Sequence, residues 1–148
     1  DFPLSYQWSP KPKVYASVSG DNFEQYGWHK IEQMAKENPG IEFHLYGNQE
    51  PWVSQNQNVI VHGRVPKEQM NDEIRGMQGG LRLLEHDGFS EVLAKSILWG
   101  QWPISTIPYP HILSPDQIGT LIDRKQPNTE GRDYYRQHLN DYPWVSQK

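Results

Sequence analysis

Polar and apolar residues along the chain follow two periods in turn. Short runs alternate residue by residue, and longer ones repeat every three or four. Residues 13–19 (KVYASVS), 41–46 (IEFHLY) and 58–62 (NVIVH) are β-rich, and each run is followed by a glycine. Between the first two, Trp28, Ile31, Met34 and Ala35 fall on one side of a helix over 28–37, which Asn38-Pro39-Gly40 stops. Pro66 suits the first turn of a short helix reaching residue 75. The stretch 80–104 (GLRLLEHDGFSEVLAKSILWGQWPI) compresses the pattern. It holds a strand at 81–84, a polar turn Glu85-His86-Asp87-Gly88, and a helix from Phe89 with small or apolar residues at 92, 93, 96 and 97. Gly100 ends that helix, because glycine adopts the left-handed conformation at little cost. A strand at 103–107, a helix from Ser114-Pro115-Asp116 to Arg124 and a last helix over 131–139 complete the set. Residues 1–12 carry three prolines and no period, so they form a linker or an extended arm.

Strands alternating with helices at these lengths predict a Rossmann-like, three-layer α/β/α domain over 13–148 with a mostly parallel sheet. Such sheets bind ligands at the carboxyl ends of their strands. That edge would hold Gly20-Asp21, Gly47-Asn48, Gly63-Arg64-Val65 and the turn at 85–88.

Composition narrows the classes. With 148 residues, 35% hydrophobic and 22% charged, the chain can bury a sizeable core. A net charge of −4 gives no basic face for nucleic acid. No apolar run approaches the ~20 residues of a membrane span. The chain has no cysteine, which excludes a disulfide framework and a cysteine zinc site and fits a reducing, cytoplasmic compartment. It opens on Asp1 with no signal peptide in view, as expected of an excised fragment. Pro51-Trp52-Val53-Ser54-Gln55 recurs at 143–147, but two copies so far apart do not make a repeat architecture.

The turn Asp87-Gly88-Phe89-Ser90 carries the strongest local chemistry. Backbone N–H groups of Gly88, Phe89 and Ser90 at a helix start suit a phosphate. Asp87 is equally a good N-cap residue. Glu85-His86-Asp87 does not make a metal cluster, since adjacent residues rarely converge on one ion, and the other histidines lack ligand spacing; no metal site is expected. No GxGxxG, P-loop or serine nucleophile elbow is present.

The order of these features resembles the C-terminal, donor-binding domain of GT-B glycosyltransferases, in particular the retaining group with a Glu-x7-Glu motif. Ser19-Gly20-Asp21 and Tyr26-Gly27 match the family's first glycine segments, and Asn58-Val59 through Gly63-Arg64-Val65 its third strand and turn. Asp87-Gly88-Phe89-Ser90, Lys95-Ser96 and Gly100-Gln101-Trp102-Pro103-Ile104 match the motif helix and the strand beyond it, without a gap. The resemblance implies one half of a GT-B architecture that binds a nucleotide-sugar donor, a missing N-terminal GT-B domain as partner, and transfer to a hydroxyl acceptor with retention, without a metal or a resident cofactor. It implies a catalytic position for Asp87, facing the donor sugar, and donor contacts at Gly20, Arg64, Val65, Arg82, Glu85, His86, Gly88, Phe89 and Ser90.

The departures lie in the charges. The family arginine after the first strand falls on Asp21, and the family lysine on Tyr26. The first motif glutamate is shortened to Asp87, and the second is replaced by Lys95. Arg82 and Arg64 are candidate replacement cations; Arg82 can equally pair with Glu85. His86 either meets a sugar or packs in the turn. Lys95 either reaches ribose hydroxyls or forms an exposed i, i+4 pair with Glu91. Tyr134, Tyr135, Arg136 and Trp144 belong either to an interface with the missing domain or to the core. Two further functions stay open: a non-catalytic glycosyltransferase-like module for binding or assembly, and a sugar-nucleotide epimerase.

Overall fold

A computed structural model of the chain describes residues 2–83 and 90–139. Its strands are β1 (Lys13–Ser17), β2 (Glu42–Tyr46), β3 (Val59–Gly63), β4 (Gly79–Arg82) and β5 (Ile104–Ser105). They form one sheet in the order β3-β2-β1-β4-β5, and every pairing is parallel. The helices are α1 (Trp28–Glu37), α2 (Lys67–Ile74), α3 (Glu91–Leu98) and α4 (Thr129–His138), with a 3-10 helix over Pro115–Asp123.

Alternation along the strands makes two apolar faces. Val14, Ala16, Phe43 and Leu45 join Trp28 and Ile31 of α1 and Ile118 and Leu121 of the 3-10 helix in one cluster. Tyr15 and Tyr46 point the other way and pack with Ile74 of α2 and Val92 of α3. Helix α4 lies against α3 through Leu93, Ile97 and Tyr135. Tyr135 is fully buried and donates its hydroxyl to the Pro110 carbonyl at 2.6 Å, so of its two candidate roles it serves the core. Trp144 lies outside the described residues, as does the second copy of the repeated pentapeptide.

Most elements fall near where the hydrophobic period places them; α4 starts at Thr129 instead of 131, β5 covers only Ile104–Ser105, and three further differences have physical reasons. Strand β4 starts at Gly79, two residues ahead of the predicted 81–84. A Cβ on Gly79 would collide with the Trp102 carbonyl oxygen, and one on Gly80 would meet Val92 and Tyr15. The glycine pair is therefore central strand, chosen for closeness of backbone and not for a turn. Helix α3 starts at Glu91, not Phe89, with Ser90 as N-cap accepting from the Leu93 N–H at 3.1 Å. The segment after Ser114 winds as 3-10 rather than α. Its Thr120 hydroxyl donates back to the Gln117 carbonyl at 2.6 Å, three residues upstream, and Gly119 lowers its α propensity.

Residues 2–12 form no regular element yet run along the domain. Ser5 N–H donates to the Trp99 carbonyl, Trp8 Nε1 to Ile122 and Gln78 Nε2 to Gln7. The Tyr6 hydroxyl donates to the Arg124 carbonyl at 2.6 Å, and burial pushes its pKa up to about 12. Among the described residues no helix is long and apolar enough to cross a membrane.

The contact at Gly79 is with backbone, which cannot rotate away. Gly79→Ala should cost about 1–3 kcal/mol, the range for overpacking a tight core. Gly40→Ala, where an added Cβ meets nothing within 4 Å, should leave stability nearly unchanged. Urea unfolding midpoints of the two variants test the difference.

Candidate functional site

The chain builds β1, β2 and β3 in one direction, then crosses to place β4 on the other side of β1. Loops leaving β1 and β4 therefore diverge, and a crevice opens at the carboxyl ends of the strands. A cleft of about 630 Å³ lies there. Ser17, Val18 and Ser19 reach it from the end of β1, and Tyr46 and Gly47 from β2. Arg64, Val65, Lys67 and Met70 enter from the β3–α2 connection and α2, Arg82 from β4, and Glu91 and Lys95 from α3.

Local conformation sets this edge. Gly47, at φ 99°, brings its backbone against the Val18 carbonyl, where a Cβ would not fit. Asp21 is left-handed at φ 54°, which a short carboxylate side chain tolerates. Its Oδ1 accepts from Gln49 N–H at 2.8 Å and more weakly from Glu50 N–H at 3.4 Å. Asp21 thus ties the turn after β1 to the turn after β2. Tyr26 lies under the Arg82 guanidinium at 4.9 Å from ring centroid to Cζ.

Among the described residues, charge in the cleft is predominantly positive. Among the described residues Arg64, Lys67, Arg82 and Lys95 face one lining carboxylate, Glu91. Glu91 Oε2 accepts from Lys95 Nζ at 2.8 Å and from Lys67 Nζ at 3.2 Å. Lys95 Nζ also donates to Asn71 Oδ1 at 2.9 Å. The Glu91 and Lys95 pair is present, but it is not the exposed surface pair expected from spacing alone. The Lys95 side chain is only 8% exposed, because α3 is buried on nearly every side, from Val92 through Ile97.

Of the residues expected to meet a donor, Arg64, Val65 and Arg82 line the cleft together. Gly20 follows the lining residue Ser19 in the turn after β1, at φ 62°. Ser90 is fully buried at the α3 N-cap, beside the lining residue Glu91. Glu85, His86, Asp87, Gly88 and Phe89 lie outside the described residues. Sequence reasoning passed over Tyr46, Lys67 and Met70, and read Glu91 only as a surface partner of Lys95. The signal for Lys67 was available: it follows Pro66 directly after a strand end, where a helix start faces the same edge.

A second polar group adjoins the cleft behind Tyr46. His44 Nε2 lies 2.7 Å from Glu42 Oε1, and His44 Nδ1 lies 2.7 Å from His62 Nε2. With His44 donating to the carboxylate, its Nδ1 accepts from the His62 Nε2–H. His62 stacks on the Tyr46 ring at 4.4 Å, and its Nδ1 faces Glu73 Oε1 at 3.9 Å. The Tyr46 hydroxyl donates to that same oxygen at 2.6 Å. Burial lowers the His44 pKa against the upward pull of Glu42, with His62 and Lys13 lowering it further. Burial and the Glu73 carboxylate raise the Tyr46 pKa. Hydrogen bonds from Tyr46 and Gln69 hold that of Glu73 down. Among the described residues no group of three or more His, Asp or Glu is placed to hold a metal.

Sheet order, layers and an edge cleft define a Rossmann-like α/β domain. Neither a protein-family model nor a curated protein sequence matches the chain. Solved structures do. TarM superposes with a TM-score of 0.65 at 14% identity, over 95% of this chain and 34% of its own. The GtfA/B complex gives 0.51 at 10% identity, over 94% of this chain and 38% of that one. Both neighbours are GT-B glycosyltransferases. At these identities the likeness is one of fold, and the fold resembles a GT-B C-terminal domain. The chain spans about a third of the length of those proteins.

The histidine pair sets a pH dependence whose sign follows from the lowered His44 pKa. An unfolded chain takes up the His44 proton more readily than the folded one. Stability is therefore highest above an ordinary histidine pKa of about 6.5 and falls as the pH drops from there toward the lowered folded value. His44→Gln should flatten that acid-side loss below about pH 6.5. Urea unfolding of both chains across this window measures it.

Proposed function

We propose that this domain is the donor-binding half of a glycosyltransferase. The intact protein would transfer a sugar from a nucleotide-sugar to a hydroxyl acceptor, with retention. The observation that carries the proposal is the cleft at the strand switch point, in which Arg64, Arg82, Lys67 and Lys95 converge. Transfer expels a nucleoside diphosphate, and the charge it develops must be met by fixed cations and dipoles. The two cations missing from Asp21 and Tyr26 are replaced from other elements. Arg82 of β4 stands over Tyr26, and Arg64 arrives from the end of β3. Side-chain cations then serve in place of a metal. Asp87 is assigned to the sugar end of the donor. The shortfall in length relative to TarM and the GtfA/B complex leaves room for an N-terminal domain carrying most of the acceptor contacts. The cysteine-free sequence suits a cytoplasmic setting.

One observation favours a second function, a non-catalytic glycosyltransferase-like module for binding or assembly. Asp21 puts a carboxylate, held by the backbone of Gln49 and Glu50, where the family places a cation.

Calorimetric titration with UDP-, GDP- and ADP-sugars separates the two. A donor half should bind one of them. Arg64→Ala and Arg82→Ala should each weaken binding about 10- to 100-fold, the value of a hydrogen bond to a charged group. Asp87→Ala should weaken the nucleotide-sugar more than the bare nucleotide. No heat with any donor would establish the non-catalytic module instead.

A further inference from the structure

Strand β3 is an edge of the sheet, and its pairing with β2 slips once. Val61 pairs with Leu45, but Gly63 pairs with Tyr46, so His62 is the extra residue of a β-bulge. The bulge lets its ring meet two residues of β2. His62 Nε2 lies 2.7 Å from His44 Nδ1, and the ring stacks on Tyr46 with the planes 7° apart. Glu73 faces it from α2. His62 and Glu73 thus stand on either side of the connection 64–66, which brings Arg64 and Val65 into the cleft.

The hydrogen bonds leave one place for a proton. His44 gives its Nε2–H to Glu42 and accepts the His62 Nε2–H at its Nδ1. Among the described residues, His62 Nδ1 is the one ring nitrogen of the pair that neither donates nor accepts, and Glu73 Oε1 lies 3.9 Å from it. The other titratable groups about the pair are Glu42 and Tyr46 on β2, with Lys13 and Tyr15 on β1 acting through His44 and Tyr46.

We propose that His62 and Glu73 form a proton-operated latch across the β3–α2 connection. A solvent proton taken up at His62 Nδ1 makes an ion pair with Glu73 and fastens β3 to α2 on both sides of Arg64 and Val65. The His62 side chain is 25% exposed, so solvent reaches it. Uptake breaks no bond. His62 keeps its Nε2–H on His44, and Glu73 Oε1 has a lone pair besides the one that Tyr46 uses. The imidazolium also gains from the Tyr46 ring on which it already stacks. Burial disfavours a proton on His44 instead. Tyr46 and Gln69 keep Glu73 ionised by hydrogen bonding, so it is a carboxylate wherever histidine charges. The 3.9 Å gap exceeds a charge-assisted hydrogen bond by about 1 Å, and closing it draws α2 and the bulge together. That wall of the cleft is then tied on the acid side and freer on the alkaline side. The latch needs no nucleotide-sugar in the cleft and stands apart from the donor-binding function.

NMR of the 148-residue chain from about pH 8 to about pH 5, the range over which histidine titrates, tests this. Imidazole nitrogen shifts should place the added proton on His62 Nδ1. Amide resonances of Val65 and of Met70 on α2 should move with the same midpoint. Glu73→Gln keeps an acceptor for Tyr46 but removes the charge. It should leave His62 titrating and abolish the coupled movement of Val65 and Met70. His62→Gln should abolish it too. Protonation of His44 in place of His62 would overturn the latch. So would a His62 titration that leaves Val65 and Met70 unmoved, which the unaltered chain decides even if a variant fails to fold. Coupled shifts that persist in Glu73→Gln would overturn it as well, since they would need no ion pair.

Discussion

The structure depends on how closely β4 approaches its neighbours. Gly79 and Gly80 have no side chains, so the strand lies against the Trp102 carbonyl on one side and Val92 of α3 on the other. That approach is fastened by buried hydrogen bonds. The Gly80 N–H donates to Ser96 Oγ at 3.0 Å, and Ser96 Oγ donates to Gln101 Oε1 at 2.9 Å. The Tyr15 hydroxyl of β1 donates to the same Gln101 oxygen, and Gln101 Nε2 donates to the Ile74 carbonyl at the end of α2. Each polar atom in this chain of contacts has a partner, which is what burial demands. The network fixes β1, β4, α2 and α3 relative to one another. It therefore also fixes the cleft between them, since Glu91 and Lys95 belong to the helix that Ser96 anchors.

Electrostatics in the cleft are set by residues from several elements. Asp21 and Tyr26 make structural contacts at its edge, Asp21 to the Gln49 N–H and Tyr26 under the Arg82 guanidinium. Positive charge comes from Arg82, Arg64, Lys67 and Lys95 on separate elements. What matters to a phosphate is the field at the crevice and not which strand supplies it. The backbone geometry at the carboxyl edge is the stable part, because it follows from strand order.

Much of the fold was legible from the period of apolar residues. The helix at 28–37 and the strands ending at Gly47 and Gly63 carry clean patterns, and the structure has them within a residue or so. Gly79 and Gly80 were not legible. Glycine pairs usually mark turns, and only the neighbouring carbonyl and Val92 show why these lie in a strand. The start of α3 was misplaced for a related reason. Phe89 fits the apolar period, but Ser90 supplies the cap, and a cap outweighs one apolar match.

The site divides in the same way. Arg64 and Val65 follow a predicted strand end, where the crevice of a parallel sheet lies, whereas Arg82 falls second in the predicted strand 81–84 and reaches that edge only because β4 ends there. Lys95 and Glu91 read as a surface pair, since i, i+4 spacing carries no information about which helix face is buried. Tyr46 and Lys67 carry no motif at all. By itself, the sequence determined the alternating elements, the parallel class and the edge at which a ligand would sit, because these follow from local period and chain connectivity. The tertiary structure alone decided which charges meet there, because side chains distant in sequence converge only after β4 and its two glycines have drawn α3 against the sheet.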